Sequence, residues 1–255
     1  MRVNILSMRV PGAALFLLLL LGFCFSCANT KIGAKTDPGT SDEKALRIAD
    51  EVMRAMGGQS AWDATRYLSW NFFGSRTLLW DKWTGDVRIE WLKKPRKVIV
   101  NLVSGQGKVQ LNGVEQTQPD SLAKYLQMGK EAWINDSYWL VMPFKLRDPG
   151  VTLRYLGEKA SDDGRAADLL QLTFSQVGVT PDNKYQVWVD KKTRLVTQWS
   201  YFEKFTDEQP QFQLPWTNYE RYGRIMLSSG RGRDGSTLTP IQVTETVPPG
   251  SFERF

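Results

Sequence analysis

Histidine is absent from the 255 residues, and cysteine occurs only twice, at Cys24 and Cys27. Those two gaps remove several chemistries together. Zinc sites built from Cys and His, Ser-His-Asp triads, Cys-His dyads and imidazole proton transfer all need side chains that the chain lacks beyond residue 27. No phosphate-cradling P-loop, dinucleotide fingerprint or EF-hand loop is spelled out, so neither a cofactor nor a metal is expected. A strong charge bias is missing too: 33 Lys and Arg stand against 27 Asp and Glu, a dispersed formal net charge of +6 that gives no reason to expect nucleic acid. The segment Gly230-Arg231-Gly232-Arg233-Asp234-Gly235 could touch phosphates or anionic headgroups, but it reads more simply as a solvated turn.

What the chain does have begins with a leader. Arg2 and Arg9 precede an apolar run from Ala13 to Phe25 that contains five consecutive leucines, Leu17 to Leu21. The run is shorter than the about 20 residues of a membrane-spanning helix and ends directly in polar residues, so it reads as a signal peptide over residues 1–26. Its end, Leu21-Gly22-Phe23-Cys24-Phe25-Ser26-Cys27-Ala28, resembles a bacterial lipobox, in which a small residue precedes the cysteine that is lipidated and becomes the new N-terminus. Ser26 before Cys27 fits that pattern, whereas Phe25 and Cys24 depart from its commonest form and leave ordinary cleavage or an uncleaved leader as alternatives. Residues 27–40 are small, polar and interrupted by Pro38 and Gly39, the composition of a tether.

The folded body is expected over residues 41–255. Ser41 suits a helix N-cap, and Leu46, Ile48, Ala49, Val52, Met53 and Met56 recur at helical spacing up to Gly57-Gly58. A short turn of helix near Ser60 to Asp63 follows. Period-two alternation then marks strands around Leu68-Trp70-Phe72, Val87-Ile89-Trp91, Val98-Val100-Leu102 and Val109-Leu111, joined by turns too short for anything but antiparallel pairing. Pro119 to Phe144 breaks the rhythm with helical spacing. Strands resume at Val151 to Gly157, Leu169 to Phe174, Tyr185 to Val189, Leu195 to Phe202, Trp216 to Tyr222 and Ile241 to Val247. The class is α+β, with about eleven strands and no repeat of the roughly 20 to 50 residues seen in solenoids.

This order of elements resembles the LolA/LolB-like superfamily, and looks closest to uncharacterised LolA-like lipoproteins of Bacteroidetes-type bacteria. The resemblance rests on Ala49 to Gly58 with Ala61-Trp62, on Trp80-Asp81-Lys82-Trp83-Thr84-Gly85-Asp86-Val87-Arg88, on Asn135 to Leu146, and on Val187-Trp188-Val189-Asp190. It implies an antiparallel half-barrel whose concave face is apolar and covered by helices, used to hold acyl chains or acylated lipoproteins in transit through the periplasm. By the same analogy, Ala28 after the lipidated cysteine implies retention at the outer membrane, with the body facing the periplasm.

A dry groove is sufficient chemistry for such a role, since a sixteen-carbon tail buried at ~0.8 kcal/mol per methylene supplies on the order of 12 kcal/mol before ordering costs. The expected wall residues are Trp70, Phe72, Ile89, Trp91, Val100, Leu102, Leu170 and Leu172, with Leu126, Trp133, Trp139, Met142 and Phe144 from the helical cover. Each is equally at home in an ordinary core. Two rival functions stand beside the lipid carrier or receptor. One is glycan binding or hydrolysis, with Asp81, Asp86 and Glu90 as the nearest carboxylates. The other is a structural module that senses lipids or partners. If Cys27 carries the anchor, mass spectrometry of the mature N-terminus finds a lipidated cysteine, and Cys27→Ser leaves the protein soluble or unprocessed.

Overall fold

The computed structural model describes residues 40–175, 182–232 and 234–255. The expected signal peptide (residues 1–26), the expected lipidation site Cys27, all of the expected 27–40 tether but residue 40, and Arg233 lie outside the described residues.

The first helix, α1 (Glu43–Ala55), buries Ile48, Ala49 and Val52 of the expected stripe and also Ala45, with Met56 buried just after it and Leu46 and Met53 partly buried. Its start differs from expectation in an informative way. Asp42 occupies the N-cap, and neither it nor Ser41 caps the helix with its side chain. Both reach the strand β7 (Val151–Glu158), which forms one edge of its sheet and has donors to satisfy. Ser41 Oγ accepts the Leu153 N–H at 3.0 Å, and the Asp42 carboxylate accepts the Tyr155 N–H and the Arg154 guanidinium, both at 2.8 Å. The Tyr155 N–H, then Arg154, hold the Asp42 carboxyl below its ordinary range.

A short helix, α2 (Gln59–Ala64), leads into a seven-stranded antiparallel sheet of β1 (Tyr67–Phe72), β2 (Arg76–Asp81), β3 (Asp86–Trp91), β4 (Arg96–Asn101), β5 (Gly107–Leu111) and β6 (Val114–Glu115), with β14 (Ile241–Thr244) returning beside β1. After the long helix α3 (Pro119–Val141) and a 3₁₀ turn over Met142–Lys145, a second antiparallel sheet joins β7, β8 (Ala167–Phe174), β9 (Lys184–Asp190), β10 (Val196–Phe202) and β11 (Phe212–Pro215). A separate hairpin pairs β12 (Thr217–Tyr222) with β13 (Ile225–Gly230). The α+β class holds, but the described strands number fourteen in three sheets, not about eleven in one half-barrel. The additional strands are β2, β6, β11 and β13.

Register explains how the first sheet builds its apolar face. Leu68, Trp80, Val87 and Val100 lie opposite one another across four strands, and Trp70, Leu78, Ile89, Val98 and Val109 form the next row. All nine are buried. The third row, Phe72, Arg76, Trp91, Arg96 and Leu111, puts two arginines on the same face. Arg76 meets the fully buried Asp136 of α3, and Arg96 lies over the Trp91 and Tyr125 rings at 5.2 and 4.9 Å. Burial pushes the Asp136 carboxyl up, with Arg76 and Asn135 opposing. The pair fixes where α3 crosses the sheet, and one buried apolar cluster includes residues of both sheets and of α1 and α3. Among the described residues no helix is long and apolar enough to cross a membrane.

Two glycines permit close approaches. Gly57, at φ 118°, ends α1 where a Cβ would stand 2.5 Å from the Arg224 carbonyl oxygen. Gly129 lets α3 settle on β4, since a Cβ there would lie 2.7 Å from a Val98 methyl. Gly129→Val overpacks that contact and is expected to cost about 1–3 kcal/mol, read as a lower urea midpoint with an unchanged slope.

Candidate functional site

Alternation along the second sheet puts Trp199 and Tyr201 on one face of β10, and Phe212 and Leu214 two apart on the edge strand β11. Trp199 stacks on Tyr185 of β9 with ring centroids 5.5 Å apart, and Phe212 stacks on Tyr201 at 5.2 Å. Trp139, near the end of α3, joins this group to the first sheet. Its ring stands edge-on to Trp199 at 4.8 Å and to Phe73 at 5.5 Å, while Phe73 meets Phe72 at 4.8 Å. A continuous aromatic layer therefore runs from the β1–β2 turn through the helix into the second sheet. Burial pushes the Tyr185 phenol up to about 12, with Asn183 opposing.

Beside the layer lies an open cavity of about 530 Å³ whose lining includes Phe73, Trp139, Gln213, Leu214, Arg231 and Asp234. That volume falls within the roughly 300–1,000 Å³ of small-molecule sites. Phe73 holds φ 48°, a conformation that an L-residue of its bulk rarely adopts. Backbone strain of about 1–3 kcal/mol is retained only where the surroundings impose it, and here it turns a phenyl ring into the cavity wall.

Arg231 corrects the expectation of a solvated turn. It is 1% exposed, and its guanidinium lies 3.4 Å from the centroid of Trp216. Nε and Nη2 both donate to the Trp139 carbonyl, at 2.9 and 2.7 Å. The remaining donors reach Ser228 Oγ and the carbonyls of Gly230 and Ser228. Residue 143, which would supply the Trp139 carbonyl with its helical N–H, is a proline and has none. Arg231 thus replaces the missing bond and brings a positive charge to the negative end of α3. Among the described residues no carboxylate pairs with it. Burial pushes its guanidinium down to about 9, with Tyr219 opposing, and it remains charged at neutral pH.

All thirteen expected wall residues belong to the same apolar cluster. Trp70, Ile89, Val100, Leu126, Met142, Phe144, Leu170 and Leu172 are buried, and Phe72, Trp91, Leu102, Trp133 and Trp139 are partly buried against them. Trp139 alone of these lines the cavity beside Arg231. Phe73, Leu214 and Arg231 were not expected there. Phe73 follows a strand without continuing its alternation, Leu214 sits one residue before Pro215, and Arg231 is flanked by glycines, so periodicity pointed to none of them.

The chain matches no family model and no curated protein. Among solved structures it is similar to a DUF1329 family protein from Desulfovibrio piger. That similarity spans 86% of this chain and 98% of the other, at 16% identity and a TM-score of 0.42. It is also similar to MucB, solved in complex with MucA(peri), over 81% of this chain and 66% of that one, at 18% identity and a TM-score of 0.26.

The carboxylates considered for glycosidase chemistry are each engaged in the first sheet's turns and ladders. Asp81 accepts Arg66 at 2.9 Å and the N–H groups of Trp83 and Thr84; Asp86 binds Thr84 and Asn101; Glu90 binds Arg88 and Lys97. Burial pushes Asp81 up, but Arg66 and the two N–H groups together hold it below its ordinary range. Among the described residues no group of three or more His, Cys, Asp or Glu is placed to hold a metal ion.

Arg231→Met leaves the Trp139 carbonyl without a donor and is expected to cost about 1–3 kcal/mol or more in urea unfolding. Adding Pro143→Ala restores a backbone N–H four residues on, so the double variant recovers part of that loss in a mutant cycle.

Proposed function

We propose that this protein is a cell-envelope lipoprotein, held at the outer membrane through Cys27 and facing the periplasm. Its body binds the acyl chain of a lipid or acylated lipoprotein without catalysing a reaction. The observation that carries this reading is the 530 Å³ cavity walled by Phe73, Trp139 and Leu214 and backed by the aromatic layer. An eight-carbon stretch of chain buried there would gain on the order of 6 kcal/mol before ordering costs. Arg231 lies at the cavity with its donors already bound to oxygen atoms, so it would act on an anionic headgroup through its field. The resemblance of the Trp80 to Arg88 and Asn135 to Leu146 segments to LolA/LolB-like proteins supports the same reading.

A lipid-sensing or partner-binding module is the second reading. The burial of Trp70, Ile89, Val100, Leu170 and Leu172 in one shared cluster favours it, because these expected wall residues pack against one another and do not line the cavity beside Arg231.

Titration with a fluorescent fatty acid separates the two. Saturable binding is expected, weakened about tenfold by Leu214→Asp, which sets a charge in the wall. Phe73→Gly is expected to weaken binding with little change in stability, since relief of the strained φ offsets the lost ring contacts. Absence of binding by the unaltered protein, together with lipid-free native extracts, overturns the carrier reading.

A further inference from the structure

Trp83 stands in the turn between β2 and β3 with 60% of its surface exposed. A lone exposed apolar residue is unremarkable. This one is fixed from three sides. Its indole N–H donates to the Asp63 carbonyl at 2.9 Å, its backbone N–H donates to Asp81 Oδ1 at 3.0 Å, and the Arg66 guanidinium lies 5.1 Å from the ring centroid. Arg66 is itself held by two bonds to Asp81 Oδ2, at 2.9 and 3.1 Å. The fold thus immobilises a large aromatic ring while leaving much of it uncovered.

That ring lines a cavity of about 440 Å³, away from the one beside Arg231. Arg66, Arg224, Glu245, Thr65 and Thr244 share the lining. Arg224 and Glu245 are exposed, and neither has an ion-pair partner among the described residues. The set offers a guanidinium fork that donates, a carboxylate that accepts, the hydroxyl of exposed Thr244 and an apolar plate, while the Thr65 hydroxyl is already given to the Ala61 carbonyl. Because the plate and Arg66 are already ordered, a ligand would not have to immobilise them.

We propose that this cavity binds a pyranose unit of a neutral glycan. A pyranose has one apolar C–H face to lie on the indole and adjacent hydroxyls that both accept from an arginine and donate to a carboxylate. Neutrality follows from the lining, where Glu245 balances Arg224 and the charge of Arg66 is matched by Asp81. Asp81 serves this site only by holding Trp83 and Arg66, Asp86 and Glu90 are not among its lining, and binding requires no catalytic step.

Isothermal titration of the full chain against maltotetraose, cellotetraose and tri-N-acetylchitotriose tests it, with phosphoethanolamine as a zwitterionic control. At least one oligosaccharide binds at millimolar concentration or better, and Trp83→Ala weakens that binding about tenfold or more. Since Trp83→Ala also removes the bond to Asp63, Arg224→Ala and Glu245→Gln serve as second variants; both weaken binding while the melting temperature stays unchanged. The proposal is overturned if none of the three oligosaccharides binds, if the exposed variants keep full affinity, or if phosphoethanolamine alone binds.

Discussion

One carbonyl oxygen, that of Trp139, organises the region on which the acyl-binding reading depends. Pro143 removes its helical partner, and a buried orphan acceptor costs free energy comparable to a lost hydrogen bond. Arg231 supplies two donors to it from the end of β13 and spends the others on Ser228 and Gly230. The cation therefore ties the end of α3 to a hairpin that belongs to neither large sheet. With α3 held there, Trp139 stands between Phe73 of one sheet and Trp199 of the other.

The same helix is positioned about one turn earlier by a different device. Asp136 is buried against Arg76, whose place on the inner face follows from the register of β2 on β1 and β3. Breaking such a pair costs more than the pair contributes, because one charge would remain buried alone. Gly129, a little earlier, allows the backbone of α3 to lie against Val98. A missing side chain, an ion pair and a capped carbonyl thus determine the height, the crossing point and the end of one helix. The cavity beside Arg231 lies next to the helix end that these constraints position.

The two cavities discussed differ in chemistry as well as place. The first is walled by strained and edge-on rings, suited to hydrocarbon that needs no directional bonds. The second offers an immobilised indole with paired polar groups, suited to a ligand that has both faces and hydroxyls. Neither surface calls on the imidazole chemistry that the composition lacks.

Local periodicity made much of the fold legible in the sequence. The helical spacing from Leu46 to Met56 became α1, and the alternation of Val87, Ile89 and Trp91 with Arg88 and Glu90 became β3 with the faces expected. It missed β2, where Leu78, Leu79 and Trp80 run together without alternating, and β13, where Ser228-Ser229-Gly230 reads as a turn although both serines are buried. The absence of histidine, the helix and strand periods, and the apolar residues that fill the core are properties of the chain taken a few residues at a time, so the sequence determined them. The burial of Arg231, the exposure of Trp83 and the division into three sheets were decided only by tertiary structure, because each depends on which distant group arrives to satisfy a donor, cover a ring or pair an edge.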